Sequence, residues 1–528
     1  MREYSLTIDK AFQQGLRVDQ RSQRGEDFLS RCTGCKPSQF GLVPEDTITN
    51  PFSTTQYSVF PFKQLLRGNA VTILADSTSL QLANELVTPW DIEDVRLFDA
   101  YDTNDEGSIG FGGVWHLVDF WNVWLLFNGV TSVFKTHLLG MYGSEDYVFT
   151  TDKVKINTGC AFRGRALFGG FDPLNYVTAD WQSFWEHWIE GNSVRFPNAM
   201  QLGKNFVSWT TIGGGDLLNV FYPNNAVLGT ISADTSRGVD DSVLFDLYKR
   251  NELGFMPMPS QGEVMCIKPL GDGVMVYSSD SVVYLFPVVD PVPTFGMKKI
   301  AGFGIAGRGA VGGTDMSHVC VDTSGCAWSI APNLAITRLG YNEFLNKILF
   351  GEMVVSFDEN RNEYYVSGVT KDGQVETYVL GSQGLSQSRE AINSCLYNRG
   401  ELLGIKDVTK SNEAQVSTNM IDFGIPDLKT IGMLEVMGQG LSNVSVSVDY
   451  RYDSNATFVQ SPWVHLNKMG FAYVGKTAKE FRVNLMSTKP ETLTVQQVAV
   501  KWKLSGKRSI RGIYAAPNTS RPRSEALG

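Results

Sequence analysis

Through the middle of the chain, apolar and polar positions alternate in short runs rich in Val, Tyr, Phe and Trp, separated by Gly-Gly, Asn-Gly, Asp-Gly and Ser-Gly steps. That pattern predicts antiparallel β structure. Residues 274–286, 318–330 and 363–380 superimpose as strand, polar turn, strand. Their second-strand aromatics are Tyr284, Trp328 and Tyr378, which lie 44 and then 50 residues apart. A hairpin recurring at that period predicts the blades of a β-propeller. Upstream, residues 120–134 predict a hairpin through Asn128-Gly129, and residues 165–171 and 207–212 read as further blade strands. The spacing divides residues 56–410 into roughly six or seven blades, so an all-β, imperfect propeller of about six blades is expected.

Beyond this region the grammar changes. Residues 430–437, 444–450, 481–485 and 495–502 alternate regularly, and their spacing predicts a β-sandwich over 411–505. Residues 1–55 lack a clear period and end near Asn50-Pro51, which predicts an extended N-terminal arm. Residues 506–528 predict a basic C-terminal tail without the apolar content to build a core.

Composition narrows the class. With 528 residues, 43% hydrophobic and 19% charged, the chain is expected to fold. A net charge of -9 leaves no broad cationic surface for duplex nucleic acid. Seven basic residues and one acid lie from Lys501 onward, leaving 39 basic and 54 acidic groups in the rest. The opening residues carry no secretory leader, so synthesis in a cytoplasm is expected. The longest apolar stretch, 114–127, is broken by His116, Asp119 and Asn122, and predicts no membrane insertion. Seven cysteines are too sparse and too odd in number for a disulfide scaffold.

Candidate chemistry is thin. Gly302-Phe-Gly304-Ile-Ala-Gly307 and Gly307-Arg-Gly309-Ala-Val-Gly312 match G-x-G-x-x-G, but a β hairpin follows where a phosphate-binding helix is needed, so an inter-blade loop is expected. Cys32-Thr-Gly-Cys35 has no second ligand pair nearby, and incidental thiols are expected. Asp102-Thr-Asn-Asp-Glu-Gly107 begins like a calcium loop, yet its twelfth position is Gly113 rather than a bidentate Glu. His116, His137, His187, His318 and His465 fall in no nucleophile motif. A pair of carboxylates for glycoside hydrolysis needs no motif, which keeps a propeller that binds or cleaves cell-surface glycans as the alternative. A scaffold that only recruits partners is a third reading. No catalytic residue, cofactor or metal is expected.

Two segments are candidates for contact with partners. Trp181, Phe184, Trp185 and Trp188 fall at i, i+3, i+4 and i+7, which puts four aromatics on one face if the segment is helical. Such a face packs on a core or docks another subunit. Lys507, Arg508, Arg511, Arg521 and Arg523 make the tail a candidate assembly contact.

The order of parts resembles that of the tail nozzle, or tail hub, proteins of short-tailed bacteriophages. Local phrases carry the resemblance: Gly302 to Val311 leading into His318-Val-Cys-Val-Asp-Thr-Ser-Gly325, then Leu339-Gly-Tyr-Asn-Glu-Phe344, Glu363-Tyr-Tyr-Val-Ser367 and Thr377-Tyr-Val-Leu380. It spans nearly the whole chain through architecture and loose phrases, with no catalytic signature, and departs from the family at the Trp-rich segment. The resemblance implies a structural protein of the virion tail, assembled in the host cytoplasm. In such a ring, six copies sit below the portal and its adaptor, beside other tail proteins. The central bore closes until ejection and then passes double-stranded DNA without sequence-specific binding. An acidic body suits a conduit, because lumenal carboxylates would repel phosphate.

Overall fold

Short strands and tight turns make up most of the computed structural model, which describes residues 3–17, 27–51, 64–67, 72–76, 79–84, 91–94, 97–99, 109, 113–120, 123–137, 146–151, 155–171, 203–210, 212, 254–289, 294–398, 401–409 and 412–505. The chain divides into two units: residues 1–45, 381–389 and 411–528 form one, and residues 46–380 and 390–410 form the other.

The second unit is a β-propeller. Among its described residues, six separate small sheets and one three-stranded run within a larger sheet follow one another along the chain: blade 1 (64–94), blade 2 (116–151), blade 3 (156–257), blade 4 (264–301), blade 5 (311–340), blade 6 (354–380, the three-stranded run) and blade 7 (390–409). Blades 1, 3, 4 and 5 have four antiparallel strands, and blade 2 adds Leu97–Asp99 as a parallel fifth. Blade 7 is a single hairpin, Glu390–Asn398 with Glu401–Thr409, extended by a parallel bridge from Thr49 to Leu403. The first strand of each blade packs on the first strand of the next, and Glu390–Asn398 packs on Gln64–Arg67 to close the circle. About six, or roughly six or seven, blades were expected; the seventh has two strands of its own, with the Thr49 bridge beside the second.

Apolar residues explain why the sheets stand face to face. Leu66, Ile73, Trp115, Trp124 and Leu126 fill the space between blades 1 and 2. Leu167, Trp209, Val264, Val276 and Val283 do the same between blades 3 and 4, and Cys266, Tyr277, Ile305, Val311 and Cys320 between blades 4 and 5. Leu65, Leu74, Leu396 and Leu403 join blade 7 to blade 1. Each sheet therefore presents alternate residues to two neighbours, which is why these strands read as nearly continuous apolar runs.

The expected repeat hairpins lie where the spacing put them. Gly273–Ser278 pairs with Val282–Val288, Ser317–Val321 with Ala327–Ile330, and Glu363–Val369 with Val375–Leu380. Their turns are built by short polar side chains. Asn128 Oδ1 accepts from the backbone N–H of Val130 (2.9 Å) and Thr131 (2.6 Å). Asp76 Oδ1 accepts from Ser79 N at 2.6 Å. Asp322 accepts from Ser324 N, Cys326 N and Trp328 Nε1 at 2.8, 2.9 and 2.8 Å. These Asx turns satisfy backbone donors that the reversal leaves over.

The Gly302–Gly312 stretch is an inter-blade loop, and its glycines are there for close approach. A Cβ on Gly304 would lie 1.7 Å from the Ser279 carbonyl oxygen in blade 4, and one on Gly309 would lie 2.3 Å from the Met353 carbonyl oxygen beside blade 6. The stretch runs into the strand Val311–Thr314, so a strand stands where a dinucleotide site needs a helix.

In the other unit, residues 3–17 and 27–45 are not an arm. Tyr4–Ile8 pairs antiparallel with Thr494–Leu504, Lys10–Gln14 is a short helix, and Cys35–Ser38 with Gly41–Pro44 extends the same sheet. Lys429–Gln439 and Phe471–Ala478 complete that sheet on the far side of Thr494–Leu504. A second sheet orders Leu385–Gln387, Leu29–Thr33, Ala414–Thr418, Glu480–Ser487 and Val444–Arg451. Phe423 joins the two layers, with its ring 6.0 Å from Phe481 and 4.7 Å from Trp502. The expected sandwich is present, but it begins at the N-terminal strands and takes in residues 381–389 as well. The arm reading failed because Tyr4–Ile8 and the strands after it are only four or five residues long and interrupted by turns, so no period develops.

Ile8 is fully buried. The Ile8→Ala variant is expected to lose about 2–5 kcal/mol of stability, as a core deletion does; an arm would lose almost nothing, and urea unfolding of the whole chain distinguishes the two. Gly309→Ala is expected to cost about 1–3 kcal/mol through overpacking against blade 6, read in the same experiment.

Candidate functional site

The feature of the propeller with room for chemistry is its axis. The first strands of blades 1 to 6 enclose a cavity of about 390 Å³, lined among others by Arg67, His116, Asp119, Lys268 and Arg308. These strands are the innermost of their sheets, so one edge of each has no ladder partner, and side chains from the next blade supply the missing hydrogen bonds.

The substitutions run from blade to blade around the circle. Gln64 makes a reciprocal pair with Trp115, donating Nε2–H to its carbonyl (3.0 Å) and accepting its N–H (2.8 Å). Thr158 Oγ1 donates to His116 Nδ1 at 2.8 Å and accepts the Ile267 N–H at 3.0 Å, tying blades 2, 3 and 4. Tyr277 Oη bonds His318 Nδ1 at 2.8 Å between blades 4 and 5. Val355 N–H donates to the Gly309 carbonyl at 2.8 Å, and Ser317 Oγ lies 2.6 Å from Tyr364 Oη, linking blades 5 and 6. Cys395 N–H donates to Ser356 Oγ at 3.2 Å, and Leu65 N–H donates to Ser394 Oγ at 2.7 Å, which brings the circuit back to blade 1.

His116 is fixed as a neutral imidazole by its partners. Its Nε2 lies 3.0 Å from the Arg308 carbonyl, which can only accept, so Nε2 carries the hydrogen and Nδ1 is left to accept from Thr158. Burial, with help from the nearby Arg308 and Lys268 cations, pushes its pKa down to about 3, although the bond to the Arg308 carbonyl works the other way. His318 is likewise pushed to about 3, chiefly by burial and then by Lys268. Its Nε2 faces the Pro269 carbonyl without a closed hydrogen bond. Both are positioned as struts; His116, with Nε2 donating and Nδ1 accepting, has no free lone pair of the kind a general base uses.

The other sequence candidates sort as follows. Cys32 and Cys35 are buried in the sandwich unit, and Cys32 Sγ donates to the Cys35 carbonyl at 3.3 Å. Burial pushes the Cys35 thiol up to about 12 and the Cys32 thiol well above its ordinary value, so neither is a thiolate nucleophile. Among the described residues, no group of three His, Cys, Asp or Glu is placed to hold a metal, and no helix is long and apolar enough to cross a membrane. Trp181, Phe184, Trp185 and Trp188 lie outside the described residues, in the connection between Arg165–Phe171 and Phe206–Trp209 of blade 3. Asp102 to Gly107 and Lys507, Arg508, Arg511, Arg521 and Arg523 also lie outside them. Lys268 and Arg308 were not singled out by sequence. The available signal was Arg308 standing inside the glycine loop, where a cation has no reason to be unless it points at something.

No protein-family model matches this chain, and no curated protein sequence does. Several solved structures are similar to it over part of their length. The WD40 domain of Neurospora crassa Pan2 is 7% identical, with a TM-score of 0.33, covering 70% of this chain and 89% of that one. Kluyveromyces lactis Hsv2 is 7% identical at a TM-score of 0.29, covering 66% and 84%. Human WBSCR16 is 10% identical at 0.27, covering 59% and 79%. This chain is an all-β protein with a propeller fold, and that statement rests on its own sheet topology.

The neutral histidines set a pH dependence. Their folded pKa values lie below the unfolded value of about 6.5, so the unfolded chain binds the extra protons between about pH 6.5 and 3. Stability is full above that window and falls as pH drops through it, by up to about 1.4 kcal/mol per pH unit for each histidine. Unfolding of the His116→Gln/His318→Gln variant is expected to show a shallower pH slope than wild type between pH 6 and 4, measured by thermal melts.

Proposed function

We propose that this chain is a structural subunit of a short-tailed bacteriophage tail, forming a nozzle ring whose shared bore closes before ejection and then conducts the genome. The observation that carries the reading is the insertion architecture. In sequence, the propeller residues 46–380 and 390–410 are inserted between the segments 1–45, 381–389 and 411–528 that make up the β-sandwich unit. That is the combination of parts the family resemblance implies, with the N-terminal segment incorporated rather than extended.

The dimensions of the propeller axis agree with a ring. A cavity of about 390 Å³, bridged by His116 from blade 2 to the Arg308 carbonyl, holds a small molecule and not a duplex. A conduit for DNA therefore has to lie between copies of the chain, not through one of them. In this reading the partners are other copies of the chain, as a hexamer, with a portal adaptor and other tail proteins at its ends. The location is the virion tail, after assembly in the host cytoplasm.

Purified full-length protein is expected to form closed six-fold rings in negative-stain images, with the same ring at the tail of particles that contain it. A chain that stays monomeric at every concentration and is missing from particle tails overturns the proposal. Incubation with host envelope polysaccharide is expected to release no reducing ends; release would favour the glycan-cleaving propeller instead.

A further inference from the structure

Between the outer strands of blades 4 and 5 the apolar packing stops short of the surface. Tyr284, Ile300, Phe303, Trp328 and Ile336 edge the core that joins these blades and are only partly buried, and Phe286 is 38% exposed. Blade 4 forms one wall of the resulting groove: Tyr284 and Phe286 stack on one face of Val282–Val288 with ring centroids 6.3 Å apart, and Lys298 is the cross-strand partner of Tyr284. Blade 5 forms the other. Trp328 stacks on Phe303 at 4.6 Å, and its cross-strand partner Arg338 holds its guanidinium carbon 6.0 Å from the centre of the Trp328 ring.

Blade 4 ends beside this groove in an open edge. Thr294–Ala301 is the last strand of its sheet, paired with Val282–Val288 on one side and with no strand on the other among the described residues. Met297, Lys298 and Lys299 are exposed one after another along it. Successive side chains of a strand point to opposite faces, so Lys298 shares the groove face with Phe286, and Lys299 shares the other face with Met297. The Phe286 ring lies over Gly296, where a Cβ would come within 2.6 Å of it. Among the described residues none of Lys298, Lys299 and Arg338 has an ion pair. Arg338 donates its Nε–H to Cys326 Sγ at 3.3 Å, and Asp322 and Glu343 act on it only at a distance.

An open edge pairs with extended chains that reach it, and lysine on such an edge ordinarily guards against indiscriminate pairing. Here the guard also selects. Like charges opposed on neighbouring strands repel and opposite charges attract, so a second copy offering the same edge is disfavoured and a strand bearing carboxylates is favoured. We propose that the outer edge of blade 4 is a strand-addition site for an extended segment of a partner protein, in which two adjacent apolar residues stand next to two adjacent acidic ones. The partner's backbone pairs with Thr294–Ala301. Its apolar side chains cover Phe286 on the groove face and Met297 on the other, while its carboxylates meet Lys298 and Lys299, and Arg338 supplies a further cation on the opposite wall. Main-chain bonds provide affinity in this mode, and alternate side chains provide specificity. The site lies within one chain, so it stands or falls separately from ring assembly.

The test is fluorescence anisotropy at low salt with the full-length protein and a labelled, capped peptide of sequence Thr-Val-Phe-Glu-Glu-Val-Thr. Saturable binding of one peptide per chain is expected, at least tenfold weaker for Lys298→Glu and for Lys299→Glu, and unchanged for Lys371→Glu, a charge reversal at an exposed position of blade 6. A peptide with both glutamates replaced by lysine is expected not to bind. Nor is one with both valines replaced by proline, which keeps the charge but removes main-chain donors. Should a variant fail to fold by circular dichroism, carbodiimide coupling of the peptide to the wild-type protein replaces it, with the amide expected at Lys298 or Lys299 and not at Lys371. Absence of saturable binding, equal binding of the lysine or proline peptide, binding that survives both folded variants, or coupling that spares both lysines overturns the proposal. Dimers or rings that Lys298→Glu dissociates overturn it as well, because they place a second copy on this edge.

Discussion

The propeller depends on one constraint: the innermost strand of every blade has an edge with no strand to pair with, and that edge is buried. An unpaired buried amide or carbonyl costs as much as a lost hydrogen bond, so seven such edges around one axis would undo much of what apolar packing between blades supplies. The chain resolves this with side chains. Gln64, Thr158, Ser356 and Ser394 each reach across to a neighbouring blade's backbone. Because every such bond needs the adjacent blade in position, the sheets satisfy one another, and none could be removed without orphaning groups on both sides.

That constraint accounts for the histidines. Buried histidine with perturbed pKa is often a sign of catalysis, and the same observation arises from a structural network. Here the partners decide. His116 gives its hydrogen to a carbonyl and receives one from a hydroxyl, spanning from blade 2 toward the loop that opens blade 5. A side chain with one donor and one acceptor suits a bridge between a carbonyl and a hydroxyl, and protonation would break half of it. The low pKa is thus a consequence of a strut position, with Lys268 and Arg308 reinforcing the effect of burial.

Most of the fold was legible, and the parts that were not share a physical cause. The hairpins around Tyr284, Trp328 and Tyr378 and the turn at Asn128-Gly129 could be read because strand alternation and turn chemistry are local. The strands after residue 411 are eight to eleven residues long where they matter most, long enough for a period to emerge. The N-terminal strands are short, and what makes them strands is Thr494–Leu504, nearly 500 residues away in sequence. The blade count stayed open between six and seven for a related reason: the third element of blade 7 is a single bridge from Thr49, which has no signature of its own. The axis could not be read at all. Lys268 sits in an apolar strand and Arg308 among glycines, and only closure of the circle brings them to one cavity.

The charge balance takes on a different meaning once the axis is known. A net charge of -9 suggests a molecule that repels phosphate. Inside one propeller the local balance is the reverse, with Arg67, Lys268 and Arg308 set against Asp119 and with His116 held neutral. The two need not conflict, because field strength depends on enclosure. Exposed carboxylates act through water and salt and are screened within about 10 Å, whereas cations in a cavity lined by packed strands act at lower dielectric. A chain can therefore carry net negative charge over its whole length while the lining of one cavity holds more cations than anions, and the bulk charge does not forecast the second.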